Sequence, residues 1–336
     1  MKPKLYEVAQ RAKVSEATVS RVLNQRPGVA EATRLRVLDV LNQLGYNFGP
    51  DRVRKLGTTV GIITPEFDNP IFPLIAQTIE SKLARHGLLS MIGPATPTTA
   101  HERDYIHHFL RMGARAVVIV NGSYARRSTG YAAYERLLTD GIAVVLVNGV
   151  TQPCPIPAVT VDMVGAAQSA IRHLVHLGHR RIGCIPGDLD YAPPQDLVAG
   201  YWQALKEAAI TLDDELVVEG LFTIEGGRCA AEELFDKGAT ALIAISDIMA
   251  LGAVASAQGQ GLGVPADVSI IGFDGTPLLA MYNPTLTTLR QPVDRMAQTV
   301  ATMVAGQLRG DRQTTQLFEA ELIAGATAGL APALAR

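Results

Sequence analysis

Cysteine, aromatic side chains and long apolar runs are all scarce in this chain, and each scarcity removes a class of protein. The three cysteines among 336 residues, Cys154, Cys184 and Cys229, are odd in number and far apart, so neither a disulfide framework nor a zinc motif is indicated. Cys184 and Cys229 read as small buried hydrophobes. No run of about 18 apolar residues appears, and Met1 to Lys4 is too short for the basic and apolar regions of a secretory leader. A cytoplasmic protein with no membrane partner is the expectation. Charge of one sign is lacking too, with a net of −2 at pH 7 and 18% charged residues. What is present is a 48% hydrophobic composition, that of a folded chain, and enough length for two or three domains.

The near-neutral balance hides a division. Through Gly57 there are 11 basic and five acidic residues, a net of +6, and the remainder carries −8. A small basic head on an acidic body concentrates phosphate attraction at one end. Within that head, Leu5 to Asn24 (LYEVAQRAKVSEATVSRVLN) places Leu5, Val8, Ala9, Val14, Val19, Val22 and Leu23 at three- and four-residue steps around a break at Lys13–Val14. This spacing predicts two short helices packed on one seam, a helix-turn-helix pattern. Ser15 stands where its hydroxyl can accept from the Thr18 amide, and Glu16 puts negative charge in the first turn. Thr18 and Arg21 then lie on the outward face, and a second helix with an exposed polar first half is the element that enters a major groove.

A third helical pattern runs from about Glu31 to Leu44, with Gly45 as its C-terminal cap. Gly49-Pro50-Asp51 then starts a pattern of only about two turns, Arg52 to Leu56, too short to be stable without DNA or a partner copy. From Thr58 onward, apolar strands alternate with amphipathic helices. The expected strands are Thr59–Thr64, Leu88–Ile92, Ala116–Val120, Ala143–Val147, Arg181–Ile185, Glu215–Glu219, Ala241–Ile245 and Ser269–Phe273. Helices are read at Phe72–His86, Gly165–Leu177, Gly227–Phe235 and Met249–Gln258 among others. Such alternation implies parallel sheets covered on both faces, here two doubly wound lobes, with ligand at strand carboxyl ends in the cleft between them. The fold class is thus a small all-α head plus an α/β core.

LYEVAQRAKVSEATVSRVLN, LNQLGY, Asn69-Pro70-Ile71-Phe72, HLGHRRIG (176–183), SDIMALG (246–252), VSIIGFDG (268–275) and LTTLRQP (286–292) together resemble the LacI family of bacterial transcription regulators over nearly the whole chain. The resemblance implies a homodimer on pseudo-palindromic double-stranded operator DNA, with a core like periplasmic sugar-binding proteins in which the chain crosses between lobes three times. It implies a head at 1–48, a hinge at 49–57 and an effector core at 58–336. The first lobe would hold about 58–158 plus 291–315, and the second about 159–290 plus 316–330. It also matches Glu16, Ala17 and Arg21 to base-reading positions, chemistry that suits cytosine, thymine and guanine edges respectively, and Leu56 to a minor-groove wedge. Leu5, Tyr6, Ser15, Thr18, Ser20, Asn24, Arg52 and Lys55 complete the DNA-facing set. Four departures stand out: Lys13 where a turn glycine is common, Ala30 where a capping serine is usual, a connector shorter by about three or four residues after Leu56, and Leu197 in place of the arginine with which sugar-responsive relatives grip a pyranose.

Cleft candidates are Phe72, Asn148, Gln195, Phe222, Ser246, Asp247 and Asp274. Asn148, Asp247 and Asp274 fall at strand carboxyl ends, and Phe72 and Phe222 can stack on an apolar ring face. Asp247 also reads as a cap for a helix beginning near Ile248, and a turn-stabilising role is the alternative for Asp274. His173, His176 and His179 do not form a metal set, because His179 follows Gly178 beyond the helix and no carboxylate stands nearby. No dinucleotide fingerprint or nucleophile triad is legible, so no cofactor, metal or enzymatic activity is expected. A ligand-switched transcription regulator, most simply a repressor, is the leading reading. A binding or transport protein without DNA function is the alternative, against which the basic head argues.

Overall fold

The computed structural model describes residues 5–23, 29–30, 33, 36–37, 40–41, 58–95, 101–151 and 153–332. These fall into two compact units, Met1–Gly57 and Thr58–Arg336. In the first, helix α1 (Leu5–Ala12) and helix α2 (Glu16–Leu23) are present as the apolar spacing requires. Val8, Ala9, Ala12, Val19 and Val22 bury their seam together with Val37, Val40 and Leu41. The Ser15 hydroxyl accepts from the Thr18 amide at 3.1 Å, satisfying one of the free donors at the start of α2. Lys13 turns the chain at φ +54°, a left-handed value that costs an L side chain but not glycine. The bounds expected for the third helix, with Gly45, and the whole of Arg52–Leu56 lie outside the described residues.

The second unit holds two sheets. β1 (Thr59–Thr64), β2 (Leu89–Pro94), β3 (Ala114–Val120), β4 (Ala143–Val147), β5 (Ala158–Val161) and β10 (Gln316–Phe318) form the first, in the order β10-β5-β4-β3-β1-β2 with every neighbouring pair parallel. Its covering helices are α3 (Ile71–Arg85), α4 (Glu102–Arg111), α5 (Ala132–Thr139) and α10 (Val293–Arg309). Val144, Val145, Leu146, Val117 and Val118 are fully buried, because a parallel sheet is covered on both faces. Lys82 on α3, its side chain only 10% exposed, pairs with Asp294 on α10 at 2.6 Å.

β6 (Ile182–Ile185), β7 (Ala241–Ala244), β8 (Ser269–Asp274), β9 (Thr287–Arg290) and β11 (Glu321–Ile323) make the second sheet, parallel except for the antiparallel β9–β11 pair. It carries α6 (Met163–His176), α7 (Ala192–Glu207), α8 (Ile224–Asp236) and α9 (Asp247–Gly259). The chain passes from the first sheet to the second after Val161, returns between Arg290 and Val293, and passes over again between Phe318 and Glu321.

Four expectations need correction. Glu215–Glu219 is no strand: Asp213 caps a single 3-10 turn, Asp214–Leu216, and only Val217 bridges Cys184. The first lobe extends through Val161 rather than ending at 158. Residues 316–318 belong to the first sheet rather than the second, since they pair with Val159, Thr160 and Val161. Cys229 is exposed, because α8 buries its Gly226, Gly227, Ala230 and Leu234 face and turns Cys229 toward Glu225. Cys184, by contrast, is buried.

His179 is the clamp of the second lobe. Its fully buried ring lies within hydrogen-bond distance of the Thr240 and Ser269 hydroxyls, both at 3.0 Å, and of the Gly329 carbonyl at 3.2 Å. Burial holds its pKa below the usual histidine value, with the Gly329 carbonyl partly opposing. A depressed histidine contributes stability above its unfolded pKa of about 6.5, and that contribution is lost as pH falls through the lower folded value. The thermal midpoint of the wild type is therefore expected to drop more steeply between pH 7.5 and 5 than that of His179→Gln, measured by calorimetry. Lys13→Gly should stabilise the N-terminal unit by about 1 kcal/mol, read from urea unfolding followed at the amides of α1 and α2.

Candidate functional site

Strands of both sheets end on one cavity of about 750 Å³. Thr64, Asn121, Asn148 and Val161 enter it from the carboxyl ends of β1, β3, β4 and β5, and Ser246 and Asp274 from those of β7 and β8. Parallel strands point their free ends the same way, which is why polar groups converge here. Phe72, Tyr191, Phe222 and Met163 supply apolar wall, with the Tyr191 and Phe222 rings edge to face at 6.1 Å.

The two lobes meet at Gln291. Its Oε1 accepts from Asn148 Nδ2 at 3.0 Å, and its Nε2 donates to Asp274 Oδ1 at 2.9 Å. Asn148 Oδ1 accepts in turn from the Val161 amide at 3.2 Å, where the chain first leaves the first sheet. The other Asp274 oxygen, Oδ2, is buried and makes no hydrogen bond of good geometry, as is the case for Asn121 Oδ1 across the cavity, although the Asn69 side chain and the Asp247 backbone lie close enough to the carboxyl to favour its ionised form. Asp274 also sits at φ +127°, a strained value for an L residue. Burial and the nearby Asp247 carboxylate raise its pKa well above the ordinary aspartate value.

Asp247 differs in that both of its oxygens are hydrogen-bonded. Its Oδ2 accepts from the Gly275 amide at 2.9 Å and the Thr276 amide at 3.2 Å, and its Oδ1 accepts from the Thr288 hydroxyl at 2.5 Å. It is a structural tie between α9 and the turns after β8, and it is not on the cavity wall. The helix cap is Ser246, whose Oγ accepts from Met249 N at 3.4 Å, one residue earlier than the sequence suggested for Asp247. Gln195 is also off the wall, donating to the Leu189 carbonyl at 2.6 Å. Leu197 is buried in the second-lobe core. Five of the seven expected cleft residues, Phe72, Asn148, Phe222, Ser246 and Asp274, thus share one wall. Asn121, Tyr191 and Gln291 were not singled out as ligand candidates, although Asn121 has the same position after β3 that Asn148 has after β4.

In the N-terminal unit, Ser15, Glu16, Ala17 and Arg21 are exposed along α2, while Thr18 and Ser20 are half-buried. The Thr18 hydroxyl lies 2.9 Å from that of Ser15, a local contact that fits scaffold. Leu5 and Tyr6 are exposed at the start of α1. Asn24, Arg52, Lys55 and Leu56 lie outside the described residues.

The contrast between the two aspartates is measurable. Asp247→Ala strands buried donors and should cost about 2–4 kcal/mol in urea unfolding. Asp274→Asn keeps an acceptor for Gln291, tolerates the positive φ and removes a buried charge. It should leave stability equal or higher at pH 7, and the gain should shrink as pH falls toward 4, where the unfolded carboxyl also protonates.

Comparison with known proteins places this geometry. The family described as "Bacterial regulatory proteins, lacI family" matches residues 4–47, and a periplasmic binding protein-like domain matches residues 171–328. The HTH-type transcriptional regulator MalR of Streptomyces coelicolor is 39% identical over 339 residues, covering 99% of this chain and 98% of its own length. The repressor CytR of Escherichia coli is 33% identical over 324 residues, covering 94% of each. Among solved structures, a complex of the transcriptional regulator CelR with cellobiose is 26% identical with a TM-score of 0.71, over 97% of this chain and 100% of that one. A lac repressor dimer bound to operator and the anti-inducer ONPF shares the fold at 24% identity and a TM-score of 0.75, over 98% and 100%. The chain belongs to the LacI family of bacterial regulatory proteins, as a DNA-binding transcriptional regulator with a periplasmic-binding-protein-like core.

Proposed function

We propose that this regulator is a homodimeric repressor whose operator affinity is switched by a neutral, polyhydroxylated ligand in the cavity between the core lobes. The observation that carries the reading is Asp274 Oδ2, a buried acceptor without a hydrogen bond of good geometry on a strained residue of the cavity wall. A buried polar atom left unsatisfied is costly, and a ligand hydroxyl supplies the missing donor. The Arg126 guanidinium on the wall is already engaged by Tyr191 and Asp190 rather than free for an anion. Amide and hydroxyl groups of Asn121, Asn148 and Ser246 suit further sugar hydroxyls, and Phe72, Tyr191 and Phe222 suit the apolar face of a pyranose. With Leu197 in the core, the usual arginine grip is replaced by these smaller groups. The cellobiose bound to CelR favours a glucose disaccharide.

On the DNA side, exposed Arg21, Glu16 and Ala17 are the base-reading set. Leu221, Ile224, Leu278 and Met281, 73%, 54%, 63% and 83% exposed, supply apolar surface for a second copy. Ligand and operator each shift the same equilibrium, so their effects on one another are reciprocal; release of operator by ligand is the expected sign.

The test combines calorimetric titration of maltose and cellobiose with anisotropy on a duplex from the gene's own upstream region. Asp274→Ala should abolish the sugar response and keep DNA binding. Arg21→Ala should remove about 1–3 kcal/mol of discrimination between operator and scrambled duplex. Binding of an anionic metabolite in place of neutral sugars would refute the ligand class, and unchanged selectivity in Arg21→Ala would refute the reading face.

A further inference from the structure

Besides the three covalent crossings at residues 162, 291 and 319–320, the lobes touch through a fourth link. The turn after β3, containing the 3-10 turn Ser123–Ala125, meets the loop between β6 and α7. Arg126 and Tyr191 pair as an isolated antiparallel bridge, and the Arg127 amide donates to the Asp190 carbonyl at 3.0 Å. Arg126 Nε donates to the Tyr191 hydroxyl at 2.7 Å, and Arg126 Nη1 lies 3.5 Å from Asp190 Oδ2. Arg126 and Tyr191 both line the cavity.

Each side of this joint is braced to its own lobe. In the first, Glu102 accepts from the Ser123 amide at 2.7 Å, and the buried Tyr124 hydroxyl lies 3.0 and 2.8 Å from the Ile119 and Val147 carbonyls. In the second, Glu219 accepts from the Leu189 amide at 3.0 Å, and Gln195 donates to the Leu189 carbonyl at 2.6 Å. Gln195, a ligand candidate from the sequence, is therefore a brace. The contacts between the two loops are the weak part, since the Arg126 and Asp190 side chains are 46% and 43% exposed and their attraction is screened by water.

We propose that Arg126, Tyr191 and Asp190 form a releasable clasp that holds the lobes together at the edge of the ligand cavity. Rigid loops with a weak joint between them open as two bodies, so the clasp sets the balance between closed and open cleft. Because it uses only protein groups, it acts whether the ligand is a sugar or something else, and its test needs no ligand.

Hydrogen exchange on the purified full-length chain reads the joint directly at the Arg127 amide. The Asn148 amide, bonded within the first sheet to the Val159 carbonyl at 2.8 Å, is the internal control. Arg126→Ala and Tyr191→Phe should each speed Arg127 exchange by about 3- to 30-fold, the factor expected for one or two modest hydrogen bonds, and leave Asn148 unchanged. Small-angle scattering should show a larger radius of gyration in both variants. An unprotected Arg127 amide in the wild type, variants that leave its rate unchanged, or equal acceleration at Asn148 would each overturn the clasp.

Discussion

Gln291 occupies a position that needs a donor and an acceptor at once, and its amide supplies both. It must accept from Asn148 on the first lobe and donate to an Asp274 oxygen on the second, and its two terminal atoms do one each. It also lies on the second chain crossing, so a covalent link and a hydrogen-bonded link between lobes coincide at one residue. Everything at the cavity floor depends on this arrangement. With one Asp274 oxygen committed to Gln291, the other is left buried without a hydrogen bond beside the cavity wall, on a residue with a strained backbone.

The two aspartates of the second lobe show how a fold separates structure from function using the same side chain. Asp247 starts α9 and spends both oxygens on the turns after β8 and on Thr288, so it fixes where those turns lie. Asp274 ends β8, where the strand opens into the cavity, and keeps one oxygen unsatisfied. Burial raises the proton affinity of both carboxyls, and the Asp247 charge raises that of Asp274 further.

Much of the fold is legible in the residues. Thr59–Thr64 and Ala143–Val147 are strands with the bounds their apolar runs suggest, and the Ser15 cap is where the helix-turn-helix pattern puts it. What was not legible has a physical reason in each case. β10 and β11 are only three residues long, too short to show a period, and they exist because β5 and β9 offer open edges. Glu215–Glu219 has strand-like composition, but the Asp213-capped 3-10 turn takes its first residues and only Val217 bridges Cys184 on the edge strand β6. Gln195 is a polar candidate in the sequence, yet its amide donates to the Leu189 carbonyl, a pairing no local pattern shows.

Local pattern is enough to specify the helix-turn-helix pairing, the charge division between head and core, the alternation of strand and helix, and the chemical types set at strand ends. Those are local properties, written in periodicity, capping and composition. Tertiary structure alone decided which strand ends face one another, that Gln291 joins Asn148 to Asp274, that Asp247 is spent on its own lobe, and that Arg126 reaches Tyr191. Such pairings join residues 17 to 143 positions apart, and nothing in the local pattern of either partner specifies the other.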